Sequence, residues 1–131
     1  MKFAIGYQFP ESGEVFSDLV RDYREHLAEV YFPWVGGASG RAPLGRVRGG
    51  TDWNAQYELE QDLAAIRRMG IKLDLLFNAN CYGDRAVSIH FENEIIAIIR
   101  HLEALDIGPD IVTTTSLFVA RTVKRHFPHI E

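Results

Sequence analysis

The apolar residues of this chain follow two alternating rhythms. Short runs suited to extended strands, Phe3–Tyr7, Ala28–Phe32, Lys72–Phe77 and Asp110–Thr113, are separated by stretches whose apolar positions recur at three and four residues. Phe16, Leu19, Val20, Tyr23 and Leu27 mark one helix face, and Leu59, Leu63, Ile66 and Met69 a second, stopped by Gly70. Ile95, Ile98, Ile99, Leu102 and Leu105 stripe a third helix, which ends before Gly108-Pro109. In the fourth, Ser116 is placed to cap the start, and Val119, Val123 and Phe127 lie four apart along the buried side. The stretch from Pro33 to Thr51 is rich in Gly and Arg, carries no period and reads as a long loop.

Strands alternating with helices predict an α/β fold with a parallel sheet and right-handed crossovers. The first strand is not followed by a Gly-x-Gly-x-x-Gly turn, which disfavours a dinucleotide-binding fold. Four β/α units amount to about half of a typical barrel of roughly 250 residues. The expectation is a single domain over residues 1–131, the amino-terminal half of a (β/α)8 barrel of the triosephosphate-isomerase (TIM) type, with a fifth strand due at Pro128–Glu131. In that arrangement the strands beginning at Phe3 and at Asp110 are open edges, and apolar side chains line the interior. A homodimer or larger species is expected if the chain ends at Glu131, unless a missing barrel half covers those edges.

Composition narrows the classes. With 131 residues, 47% hydrophobic, the chain can bury one ordinary core. A net charge of -4 gives no basic excess to grip nucleic acid. The apolar run near Met1 is too brief for a signal-peptide core or a membrane span, so a cytoplasmic protein is expected. Cys81 is the one cysteine, which excludes an internal disulfide and a multi-cysteine zinc or iron–sulfur site held by this chain alone.

Barrel chemistry sits on loops after the carboxyl ends of strands. After the third strand comes Asn78-Ala79-Asn80-Cys81-Tyr82-Gly83, where two carboxamides can orient a substrate. Asn and Gly are also ordinary turn formers, and Cys81 is expected to be a small buried hydrophobe rather than a nucleophile, since no histidine closely follows it. The second loop runs from Val35 through Arg41 to Arg46 and Arg48; its guanidinium groups can bind a carboxylate or phosphate, or the loop can be a plain surface lid. Thr113-Thr114-Thr115-Ser116 enters a helix amino terminus, which suits an anion, although capping alone explains Ser116. His90 with Glu94 is a poor two-ligand metal set, and Glu58 and Asp62 are expected in solvent on an outer helix. Asp74 lies within a strand and faces either the interior or the helices, depending on register.

The strand ending Val30-Tyr31-Phe32, the Gly-rich segment leading to Arg41, the strand leading to Asn78 and the Pro109-Asp110-Ile111-Val112 run together resemble the amino-terminal part of the collagenase-like peptidase family. That resemblance implies a TIM-type barrel. It also implies a peptidase or, as in other members, a part in oxygen-independent hydroxylation of RNA or of the ubiquinone ring, with iron–sulfur clusters held by cysteines further along the chain. Those cysteines are absent here, so no cofactor is expected in this chain, and a cluster only with chain supplied from elsewhere. The expected site residues are Arg41, Asn78 and Asn80, facing a small acidic or peptide substrate. A non-catalytic module for small acids and an inert structural fragment are the alternatives.

Overall fold

A computed structural model of the chain describes residues 1–46 and 49–131. Four β/α units follow one another: β1 (Phe3–Gly6), α1 (Phe16–Tyr23), β2 (Leu27–Pro33), α2 (Trp53–Arg68), β3 (Lys72–Phe77), α3 (Ile89–Ala104), β4 (Ile111–Thr114) and α4 (Leu117–His126). The strands form one parallel sheet in the order β1-β2-β3-β4. Sequential parallel order puts every right-handed crossover on the same side, the topology of an arc of barrel.

Local chemistry sets the element ends. Asp52, Ser88 and Ser116 cap α2, α3 and α4 by accepting the backbone N–H of Ala55, Phe91 and Val119, respectively. Gly70, at φ +77°, turns the chain out of α2 in a conformation that few other residues tolerate.

The core lies between the helices and one face of the sheet. Val30, Phe32, Leu73, Leu75 and Phe77 point there and meet Leu59, Leu63, Ile66, Ile95, Ile99 and Leu102. The register places Gly6, Tyr31, Asp74 and Ile111 in a row on the opposite, inner face.

Four expectations are corrected. Leu27 belongs to β2 rather than to the first helix, because Arg24–His26 tighten into a 3-10 turn and Leu27 is extended at φ -109°, ψ 133°. An irregular register between Phe3 and Ala4 leaves Ala28 as an extra residue, so that Leu27 and Val30 both turn into the core three residues apart, a spacing that mimics a helix face. Tyr23 is 61% exposed rather than part of a buried stripe. Asp62 is not in solvent: it is buried and accepts a 2.7 Å hydrogen bond from the Tyr7 hydroxyl and a 3.2 Å bond from Ser17 N–H, tying β1 to α1 and α2. The interior is not an apolar lining, since its face carries Glu29, Tyr31, Lys72, Asp74 and Thr113.

Beyond β4, Glu131 donates its N–H to the Asp110 carbonyl and accepts from Val112 N–H, both at 3.0 Å, the parallel pairing pattern. Among the described residues, no helix is long and apolar enough to cross a membrane.

Candidate functional site

Along β3 the side chains alternate: Leu73, Leu75 and Phe77 enter the core, while Asp74, Leu76 and the following Asn78 project inward. Asp74 is only 4% exposed and is held by the neighbouring strand, accepting 3.0 Å and 2.7 Å hydrogen bonds from Thr113 N–H and Thr113 Oγ1. Burial raises its pKa above the ordinary value of 3.8; the Thr113 bonds oppose that shift and the Glu29 charge adds to it.

The loop after β2 returns over this face. Gly40 donates its N–H to Asn78 Oδ1 at 3.0 Å, which pins the loop to the end of β3 and leaves Asn78 Nδ2 without a partner among the described residues. Arg41, next in the chain, lays its guanidinium 5.1 Å from the centre of the Tyr31 ring. Gly6 makes room for it: a Cβ there would fall 1.8 Å from Arg41 Nη1. Among the described residues, no carboxylate pairs with Arg41. Tyr31, Arg41, Asp74, Leu76, Asn78 and Thr113 line one cleft of about 290 Å³. Such a cleft offers fixed donors for an anion beside a carboxyl group that holds its proton more tightly than usual.

The other sequence candidates fall elsewhere. Asn80 and Cys81 are exposed, and neither lines the cleft, because the chain turns at buried Ala79. Arg46 donates its backbone N–H to Asp52 beside the start of α2, and Arg48 lies outside the described residues. Thr113, Thr114 and Thr115 spend their hydroxyls on Asp74, the Phe77 carbonyl and the Ala79 carbonyl, stitching β4 to β3 rather than forming an anion site. Glu94 pairs with Arg85 at 3.0 Å instead of forming a set with His90. His101, His126 and His129 each face a glutamate. Among the described residues, no three His, Cys, Asp or Glu side chains converge on a metal position.

Of the residues that line or brace the cleft, Tyr31, Leu76 and Gly6 have no site role in the sequence reading, and Thr113 enters it as an anion-site candidate rather than as the partner of Asp74. The signal for the inner row was nevertheless present, as Lys72, Asp74 and Asn78 share the phase opposite to Leu73, Leu75 and Phe77.

No family model and no curated protein matches the chain. Among solved structures it is similar to the U32 peptidase Mk0906, with a TM-score of 0.58 and 16% sequence identity, over 94% of this chain and 44% of that one. The chain therefore spans less than half the length of that peptidase. The likeness is one of fold, that of a partial barrel.

Proposed function

We propose that this chain supplies the substrate-gripping part of a peptidase-like barrel enzyme, and that the Arg41 cleft receives the carboxylate of a peptide. The observation that carries this reading is the position of Arg41: a guanidinium without an acidic partner among the described residues, braced by Tyr31 and Gly6 at the carboxyl end of the sheet. Arg41 takes the carboxylate as a fork and Asn78 Nδ2 gives a further hydrogen bond, with Asp74, held by Thr113, beside them. Likeness to a peptidase fold makes a peptide the favoured small acid.

An acetylated tripeptide with a free carboxylate, titrated calorimetrically against its C-terminal amide, tests the grip. The acid is expected to bind and the amide to bind at least tenfold more weakly, with Arg41→Gln abolishing the difference. Equal binding of acid and amide would reject the reading. Hydrolysis of the same peptide separates an enzyme from a non-catalytic small-acid module, the second reading, which shares the Arg41 observation. The hydroxylation roles of the resembled family would draw their cluster ligands from chain beyond this one, since a single cysteine does not hold a cluster.

A further inference from the structure

We propose that the cleft selects peptides whose last residue carries a small aliphatic side chain, and that Leu76 sets the size it admits. The inference rests on the Arg41 grip and adds to it which carboxylate-bearing residue the cleft accepts.

The strand register arranges the cleft in tiers. Tyr31 and Asp74 are partners across β2 and β3, and Leu76 and Thr113 are partners across β3 and β4, one pleat nearer the carboxyl ends. In the sheet order β1-β2-β3-β4, the anion donors therefore stand to one side: Arg41 lies over Tyr31 and Gly6, with Asn78 Nδ2 above. The bottom is closed by Asp74 and Leu76, 4% and 5% exposed, and Thr113 forms the flank away from Arg41. A carboxylate seated on Arg41 and Asn78 leaves the side chain of its own residue to turn onto Leu76 and Thr113.

That floor offers little to a charged side chain. Both oxygens of Asp74 already accept from Thr113, Oδ1 from the N–H at 3.0 Å and Oδ2 from the hydroxyl at 2.7 Å, so the two polar groups satisfy each other. Burial also makes Asp74 hold its proton more tightly than usual, which weakens it as a counter-ion. Glu29 lies a tier deeper, with Lys72 opposite it across the ladder. A lysine side chain would bring its ammonium alongside the Arg41 guanidinium, over a carboxyl group that is already bonded.

Size follows from the volume. At about 290 Å³ the cleft stands at the small end of ligand pockets, which run from roughly 300 to 1,000 Å³, and it suits a carboxylate with one short side chain. Leu76 is paired with Pro33 on one side and Thr113 on the other, so its backbone is fixed in mid-sheet and its side chain governs how deep the cleft runs.

Acetylated tripeptide acids that differ only in the last residue, glycine, valine, lysine or phenylalanine, titrated calorimetrically beside their C-terminal amides, test this selection. Among the acids, valine is expected to bind about threefold or more tighter than glycine, through the apolar area it buries, and about tenfold or more tighter than lysine or phenylalanine. Leu76→Ala deepens the floor and is expected to reduce the preference for valine over phenylalanine about fivefold, with a urea curve to establish that the variant is folded; Leu76→Val reads the same ratio through a milder change. If acid and amide bind alike for every last residue, the Arg41 grip fails and this inference falls with it. If acids are preferred to amides but glycine, lysine or phenylalanine equals valine, or if folded Leu76 variants leave the valine-to-phenylalanine ratio unchanged, the grip stands and the proposed selection is overturned.

Discussion

Replacing Gly6 by alanine isolates the brace behind Arg41. The new methyl carbon would lie 1.8 Å from Arg41 Nη1, 2.4 Å from Cζ and 2.7 Å from Nη2. Carbon and nitrogen atoms at rest stand about 3.5 Å apart, so the guanidinium must retreat by roughly 1.7 Å, out of its place over the inner face. The backbone does not resist the change, because Gly6 lies outside the left-handed region, and exchanging Gly for Ala within a strand stabilises by about 0.5 kcal/mol. The variant should therefore fold as well as the parent in urea. Its peptide affinity should fall, because a hydrogen bond to a charged group is worth about 1.5–3 kcal/mol, which corresponds to roughly 10- to 150-fold in Kd. Calorimetric titration with the acetylated tripeptide acid reads that loss beside the urea curve. Undiminished binding with unchanged stability would refute the placement of Arg41, and a large loss of stability would show that Gly6 serves packing rather than the cleft.

Further outcomes follow from the same geometry. Tyr7→Phe removes the hydroxyl that donates to buried Asp62, and should cost about 2 kcal/mol, near 7 °C in Tm for a chain of this length; a shift within error would show that the pair adds nothing. Asp74 binds its proton more tightly folded than unfolded, so its contribution to stability is full below the ordinary pKa of 3.8 and is lost as pH rises through the raised folded value. Asp74→Asn, which keeps an acceptor for Thr113, should accordingly gain in Tm relative to the parent as pH rises above 3.8, and a relative decline would contradict the burial argument. Cys81, exposed and without a bonded histidine among the described residues, should react with a thiol reagent no faster than an ordinary free cysteine, and much faster labelling near neutral pH would reverse that assignment.

The alternation of strands and helices was legible because each strand contributes a strong apolar face to one core, as Leu73, Leu75 and Phe77 do. Leu27 reads as helical because it lies four residues beyond Tyr23, and the 3-10 turn at Arg24–His26 that ends the helix contains no Gly or Pro to announce it. Asp62 was misread because its spacing from Glu58 places it on α2 but cannot reveal that Tyr7, 55 residues away, will meet it there. The nearness of Arg41 and Asn78 could be anticipated from the rule that strand carboxyl ends converge, and the Gly40–Asn78 bond is the contact that realises it. Asn80 shares the loop but not the cleft, since it lies three residues beyond the end of β3, past the turn at buried Ala79. Gly6 and Tyr31 carry no chemistry alone and gain meaning only from the guanidinium laid across them.

The most direct test of the central claim is a crystal structure of the chain with the acetylated tripeptide acid. The account predicts carboxylate oxygens within about 3 Å of both the Arg41 guanidinium and Asn78 Nδ2, above the Tyr31 ring. A peptide bound away from Arg41, or Arg41 turned from the inner face while the peptide occupies the cleft, would contradict it.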